Sequence, residues 1–149
     1  METAFRPAKV ADIDLLLPMI SELCEFDRTP FDERAAGGAL AQLIGDESLG
    51  GAWLIESDGR TAGYLVLTYG FSLEFGGRDA FIDELFLREE FRRRGLGRRA
   101  LEFAEAVCRG RGVRALLLEV ERNNAAALEV YRRFGFQNRD SFYLMTKRL

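Results

Sequence analysis

The stretch that decides the fold reads FLREEFRRRGLG and runs from Phe86 to Gly97. It ends an apolar segment with the features of a strand, Ala80 to Leu87, and opens a segment with helical periodicity at Gly95. Glycines at such a turn let successive backbone N–H groups converge on one point, and the N-terminus of the following helix adds a partial positive charge. The stretch therefore predicts a cradle for a pyrophosphate, although an exposed basic turn at a helix start would give the same pattern.

Length and composition bound the remaining possibilities. A chain of 149 residues, 48% hydrophobic and 30% charged, predicts one globular domain over residues 1–149. The absence of histidine excludes histidine metal sites and Ser-His or Cys-His nucleophiles, and no metal is expected. Cys24 and Cys108 lie in apolar helical patterns, which favours two buried thiols in a reducing compartment.

The expected location is cytoplasmic, without a membrane partner. Residues 1–10 carry charges and a proline where a signal peptide would have an apolar region. No apolar stretch approaches the roughly 18 residues that a membrane span requires.

Periodicity predicts strands that alternate with helices in the second half of the chain. Predicted strands cover residues 3–6, 52–57, 61–69, 80–87, 113–120 and 141–147, and predicted helices cover residues 12–23, 31–45, 95–109 and 124–134. Pro18 is expected to kink the first helix, and Asp58-Gly59 predicts a hairpin turn. Val113 to Val120 is a continuous apolar run, typical of a strand buried on both faces. The fold class is therefore α/β or α+β, with helices on both sides of a mixed sheet.

Two motifs resemble those of a known family. The pattern Arg92-x-x-Gly95-x-Gly97 after an apolar strand resembles the acetyl-CoA signature of the GCN5-related N-acetyltransferases (GNAT). The later stretch LLLEVERNNAAALEVYRRFGF, from Leu116 to Phe136, resembles the second signature of the same family. The resemblance implies a central mixed, mostly antiparallel twisted sheet of about six to seven strands, flanked by helices.

The same resemblance implies acetyl-CoA as co-substrate and assigns residues to it. The implied contacts are the backbone of Leu85, Phe86 and Leu87, the turn residues Arg92, Arg93, Arg94, Gly95, Leu96, Gly97 and Arg98, and the helix residues Asn124 and Tyr131. Arg92, Arg93 and Arg94 are all candidates for the contact with the 3′-phosphate of CoA. A P-loop is disfavoured because no Gly-Lys-Ser/Thr follows the glycines.

The acceptor amine, mostly ammonium at neutral pH, has to lose a proton before it attacks a thioester. Asp83, Glu84 and Glu119 are the candidate bases. Asp83 and Glu84 are neighbours on one strand and are expected to point to opposite faces. By resemblance, Asp83 matches the acidic residue of small-molecule acetyltransferases and Glu119 that of the ribosomal-protein alanine acetyltransferases. These two rank ahead of Glu84, and a purely structural role is open for each.

Tyr131 lies seven residues after Asn124, where the resembling enzymes place a tyrosine beside the CoA sulfur. It is interpreted as the general acid, and the alternative is a half-buried core aromatic. In the family, the segments that correspond to Cys24 to Phe31 and Phe71 to Arg78 shape the acceptor pocket. Acidic residues there suit a cationic amine on a small molecule or peptide, and the alternative is that they are simply solvated.

Other functions compete with this hypothesis. The arginines from Arg92 to Arg99 could suggest nucleic-acid contact, but no aromatic residues are interleaved for base stacking, so a nucleic-acid partner is not expected. A non-catalytic acyl-CoA-binding module is the alternative from another class, and a different acyl group or an oxygen acceptor also stays open. Subunits often pair in the family, so a homodimer is an open expectation.

Overall fold

A computed structural model describes all 149 residues as two compact units, Met1–Glu119 and Val120–Leu149. The strands are Thr3–Pro7 (β1), Gly50–Ser57 (β2), Arg60–Ser72 (β3), Gly77–Leu87 (β4) and Ala115–Leu118 (β5). The helices are Ile13–Asp27 (α1), Glu33–Ile44 (α2), Leu96–Gly110 (α3) and Ala125–Phe134 (α4). None of the helices is long and apolar enough to cross a membrane.

The five strands of the first unit form one mixed sheet in the order β1-β2-β3-β4-β5. The first four strands are antiparallel, and β5 pairs in parallel with β4. Asp58 and Gly59 both have positive φ in the tight turn between β2 and β3, as the predicted Asp-Gly hairpin requires. The mixed α+β fold with four helices is confirmed. The sheet has five strands, whereas six to seven were expected.

Helices α1 and α2 pack on one face of the sheet. Leu16 and Met19 of α1 join Leu40 of α2 in a buried cluster with residues from three strands. The strand members of that cluster are Ala52, Leu54, Tyr64, Val66 and Phe86. α1 continues through Pro18 to Asp27, so the proline does not end the helix.

Helix α3 packs on the opposite face. Its Phe103 ring stacks on Phe5 of β1 at 4.4 Å between centroids and meets Trp53 of β2 edge-on at 5.5 Å. Leu96, Ala100, Leu101, Ala104 and Cys108 form the buried stripe of α3. The predicted two-sided sheet is thereby confirmed.

The pairing of β3 with β4 changes register at one residue. Val66 pairs with Glu84 whereas Leu67 pairs with Ile82, so Asp83 is the extra residue of a β-bulge in β4. Val66 and Leu67 are adjacent and face opposite sides of the sheet, so their partners Glu84 and Ile82 do too. Without the bulge, Ile82 and Glu84 would share a face.

β5 is shorter and less buried than predicted. It covers Ala115–Leu118 where the apolar run suggested residues 113–120, and all four of its residues are half-buried. β5 ends the sheet of this unit, so its outer edge has no neighbouring strand there. Burial on both faces was therefore a wrong prediction.

The second unit contains α4 and the C-terminal residues. The Asn124 side chain caps α4 by accepting a hydrogen bond from the Ala127 N–H at 3.2 Å, and Gly135 ends the helix with a φ of 110°. The predicted strand Ser141–Lys147 is absent, and Phe142 and Tyr143 are exposed. Alternating apolar residues form a strand only where another strand pairs with their backbone, and this unit contains no other strand.

Replacement of Phe103 by alanine tests the α3 face. The Phe103→Ala variant loses both ring contacts, and its free energy of unfolding should fall by about 3 kcal/mol in urea denaturation. Phe71→Ala is the matched control, because Phe71 is 72% exposed, and should change stability by less than about 0.5 kcal/mol. Equal losses in the two variants would contradict this packing.

Candidate active site

The site of interest is the open part of β4. β4 and β5 pair from Asp79↔Ala115 to Ile82↔Leu118, and the pairing stops where the bulge begins. β4 continues for five residues beyond Ile82, and there only β3 pairs with it. Residues 83–87 consequently present one edge of β4 without a neighbouring strand. An extended ligand with amide groups fits such an edge, since it forms the hydrogen bonds that a further strand would form.

The glycine turn follows directly and is held in place by its own residues. The Arg92 Nε donates to the Leu87 carbonyl at 2.8 Å, and its guanidinium lies 5.7 Å from the centre of the Phe86 ring. The Arg88 N–H donates to the Ala62 carbonyl at 2.8 Å and ties the end of β4 to β3. Of the three arginines considered for the 3′-phosphate, Arg92 is thus engaged in closing the turn.

The turn has the conformation of an anion site. Arg93 and Gly95 both have positive φ, at 61° and 80°, and Gly95 caps α3. The N–H groups of Leu96 and Gly97 lie in the first helical turn, where the helix itself offers no acceptor. A Cβ placed on either Gly95 or Gly97 would meet no atom within 4 Å, so the space beside both glycines is open. A pyrophosphate fits this space and would be bound by backbone N–H groups.

The other arginines of the turn differ in their contacts. Arg93 is exposed, and no hydrogen bond, ion pair or ring contact holds it. Arg94 lies over the Phe91 ring at 5.8 Å, and Arg98 pairs with Glu102 at 3.2 Å. Arg93 is therefore the arginine whose guanidinium is most available to a phosphate.

The bulge fixes the face of one of the two neighbouring carboxylates. Glu84 pairs with Val66, whose side chain belongs to the α1–α2 face, whereas Asp83 is the extra residue and has no cross-strand partner. Neither forms an ion pair with Lys or Arg, and the charge of Asp83 raises the pKa of Glu84. Two carboxylates are thus concentrated beside the open edge of β4.

Burial acts on both carboxyl groups. Desolvation raises the pKa of Glu84, and the Asp83 and Asp27 charges add to that effect, whereas a hydrogen bond from Tyr64 opposes it. The Tyr64 hydroxyl donates to Glu84 Oε1 at 2.6 Å. Desolvation also raises the pKa of Asp83, although its side chain is more exposed than the half-buried Glu84.

Glu119 and Tyr131 have different surroundings. Glu119 is exposed and follows Leu118, the last residue of β5 that pairs with β4. The strand before it, β5, is half-buried and not buried on both faces as predicted. Tyr131 is half-buried on α4 of the second unit, and its ring meets Phe136 edge-on at 5.9 Å.

The residues expected around the acceptor divide into two groups. Phe31 packs against the α1–α2 cluster, whereas Phe26 and Phe71 are exposed. Asp27 ends α1 close enough to influence Glu84. Sequence reasoning missed Tyr64, because it lies within an apolar strand and only the cross-strand register brings it to Glu84.

Comparison with known proteins gives consistent matches. The model of the acetyltransferase (GNAT) family matches residues 17–136. The uncharacterized N-acetyltransferase YhfO of Bacillus subtilis (strain 168) is 28% identical, over 92% of this chain and 91% of its own length. The thialysine N-epsilon-acetyltransferase of Mus musculus is 25% identical, over 91% of this chain and 85% of its own.

Solved structures agree on the fold. The integron cassette protein HFX_CASS3, from the mobile metagenome of Cole Harbour Salt Marsh, has a TM-score of 0.84 and 36% identity, over 97% of this chain and 90% of its own. A predicted acetyltransferase with acetyl-CoA from Clostridium acetobutylicum has a TM-score of 0.81 at 15% identity, over 97% and 96% of the two chains.

Replacement of Gly97 by alanine tests the anion cradle. In the Gly97→Ala variant the new Cβ occupies the open space while the helix is retained, so stability should hold or rise by up to about 1 kcal/mol. CoA affinity in isothermal titration should fall by about tenfold, because the methyl group displaces the phosphate from the N–H groups.

The Gly110→Ala variant is the control, since Gly110 also has open space beside it but lies at the far end of α3. It should bind CoA as the wild type does. Equal affinities in the two alanine variants would argue against phosphate binding at this turn.

Proposed function

Because the chain belongs to the acetyltransferase (GNAT) family, we propose that it transfers the acetyl group of acetyl-CoA to a primary amine by direct attack in a ternary complex. The observation that carries the proposal is the juxtaposition on β4 of an open strand edge with the half-buried carboxylate of Glu84 and its neighbour Asp83. The open edge could form hydrogen bonds with the amide groups of acetyl-CoA, and the carboxylates could attract a cationic amine and accept its proton.

On the donor side, acetyl-CoA would lie along β4 and end at the glycine turn. The backbone of Leu85 to Leu87 would bind the pantetheine amides, and one N–H there would hold the oxyanion that develops on the acetyl oxygen. The first-turn N–H groups of α3 would bind the pyrophosphate. Arg93 would reach the 3′-phosphate, since Arg92 is occupied by the Leu87 carbonyl.

On the acceptor side, Glu84 would take the ammonium proton. A general base works best with a pKa near the operating pH, and burial shifts the pKa of Glu84 in that direction. Asp83 would keep the site negative while the cation binds. Glu119, exposed beyond β5, is the less favoured base.

The reaction then needs one bond exchange. The neutral amine nitrogen attacks the acetyl carbonyl carbon, the C–S bond breaks, and the thiolate of CoA takes a proton from Tyr131. The nitrogen then releases its remaining surplus proton to solvent, which gives the neutral amide, and solvent returns a proton to the Tyr131 phenolate. The role of Tyr131 rests on its place seven residues after Asn124, as in the resembling enzymes. Cys24 and Cys108 take no part, and burial raises the pKa of Cys108 to about 11, which keeps that thiol protonated and poorly nucleophilic.

The negative charge of the acceptor side favours a cationic amine. Asp27, Asp83 and Glu84 concentrate negative charge at one place, and no Lys or Arg forms an ion pair with the latter two. The similarity to thialysine N-epsilon-acetyltransferases supports a primary amine on a side chain or small molecule as the class to test first.

The deciding experiment is a panel of amines with acetyl-CoA, scored by release of free thiol. Thialysine, lysine, a polyamine and an N-terminal peptide cover the candidate acceptors. Release above the hydrolysis rate with at least one amine is expected, and Glu84→Gln should reduce kcat/KM by about 100-fold or more. Glu119→Gln is the matched control and should stay within about twofold of the wild type.

Two outcomes would contradict the proposal in different ways. If CoA binds but no amine on an extended panel releases thiol, the chain is an acyl-CoA-binding module. If Glu119→Gln loses activity while Glu84→Gln keeps it, the base is Glu119.

Replacement of Tyr131 by phenylalanine tests the general acid. Tyr131→Phe should lower kcat by about 10- to 100-fold with unchanged acetyl-CoA affinity, because only proton transfer to the thiolate is lost. The measurement is steady-state kinetics beside calorimetric binding, with Tyr143→Phe in the same unit as the control. Wild-type turnover of Tyr131→Phe would assign the tyrosine to packing.

A further inference from the structure

We infer that Tyr64 is a positioning residue for the proposed base: its hydroxyl fixes Glu84 through Oε1 and leaves Oε2 to receive the proton of the acceptor amine. The inference rests on the proposed function, since it assigns Tyr64 a role in the chemistry of that same site. It is carried by one contact, the 2.6 Å hydrogen bond between Tyr64 and Glu84 across neighbouring strands.

Tyr64 is rigidly held. It is fully buried in the α1–α2 cluster, and its ring lies 5.9 Å from that of Phe86, its cross-strand partner. Burial raises the pKa of Tyr64 far above its usual value, so the hydroxyl stays protonated and always donates. A donor with one orientation and one acceptor fixes that acceptor.

Glu84 needs such a fixed donor. The bulge places it diagonally to Tyr64 on the α1–α2 face, where no lysine or arginine pairs with it. The titratable groups around the Tyr64–Glu84 pair are Asp83 on β4 and Cys24 and Asp27 on α1. Burial and the charges of Asp83 and Asp27 raise the pKa of Glu84, and the hydrogen bond from the Tyr64 hydroxyl lowers it. Tyr64 therefore favours the ionised form of Glu84.

A second tyrosine on β3 provides a matched control. The Tyr69 hydroxyl is buried and has no hydrogen-bond partner, and its ring lies on the α3 face near Arg111. Removing the Tyr69 hydroxyl breaks no hydrogen bond and does not touch Glu84. Tyr64→Phe and Tyr69→Phe thus delete the same atom from the same strand with different consequences.

The test measures the pH dependence of kcat/KM and the pKa of Glu84 in the full-length chain. In Tyr64→Phe the acidic limb should move to higher pH by about one unit, because the hydrogen bond that favours the ionised carboxylate is lost. The plateau should fall by about tenfold. Tyr69→Phe should leave both unchanged, and Asp83→Asn should move the limb to lower pH because it removes a like charge.

The ¹³C resonance of the Glu84 carboxyl, assigned with Glu84→Gln, should show the same shifts without any substrate. This readout separates the two ideas: a Glu84 pKa that moves in Tyr64→Phe while no amine is acetylated would overturn the proposed function alone. Unchanged pKa values and an unchanged acidic limb in Tyr64→Phe would overturn the role of Tyr64.

A double variant gives an independent test. In the Glu84→Gln background Tyr64→Phe should have no further effect on kcat, and a further tenfold loss would also overturn the role of Tyr64. If Tyr64→Phe does not fold, Tyr64→Met, which fills the same space without a hydroxyl, has to show the same shift.

Discussion

The site depends on one extra residue in β4. The bulge at Asp83 reverses the phase of the strand, so that Ile82 faces α3 whereas Glu84 and Phe86 face α1 and α2. It also marks the point where β4 and β5 stop pairing. A regular strand would continue its pairing with β5 and would leave Glu84 on the α3 face. The same irregularity thus leaves an edge of β4 open and turns the Glu84 carboxylate toward the α1–α2 face.

The carboxylates at this point are unfavourable for the fold. A charged group loses hydration free energy when it is buried, and no cation offsets this loss for the half-buried Glu84. Desolvation raises the pKa of Glu84, so its ionisation destabilises the native state once the pH exceeds the pKa of the unfolded chain. The cost is complete above the raised pKa, and it disappears as the pH falls and the carboxyl protonates. Asp83 is exposed, so its own cost is smaller. The Tyr64 hydroxyl offsets part of the cost at Glu84. Such an arrangement is typical of a functional site, where ionisable groups are kept because the reaction needs them even though they lower the stability of the fold.

Much of the first unit could be predicted from periodicity and turn chemistry. Asp58-Gly59 specified its hairpin, and the apolar stripe that contains Leu101 specified α3. The cross-strand register could not be predicted from the sequence, because the alternation of apolar and polar residues does not reveal where a β-bulge inserts a residue. The face that Glu84 occupies and its contact with Tyr64 were therefore not predicted. The strand at Ser141–Lys147 was mispredicted for a related reason: a strand is defined by its neighbour as much as by its own residues.

The glycine turn and Glu84, the proposed base, belong to one continuous segment, and this constrains their relative positions. The Leu87 carbonyl at the end of β4 accepts from Arg92, and Arg88 ties the same end to β3, so the glycine turn is fixed relative to the strand that carries Glu84. Glu84 lies three residues before that anchored end at Leu87. A shift of the turn would therefore move a bound thioester relative to the carboxylate. Under the proposed function, Arg92 would set this distance, whereas the exposed Arg93 would be left to meet the charge of the ligand.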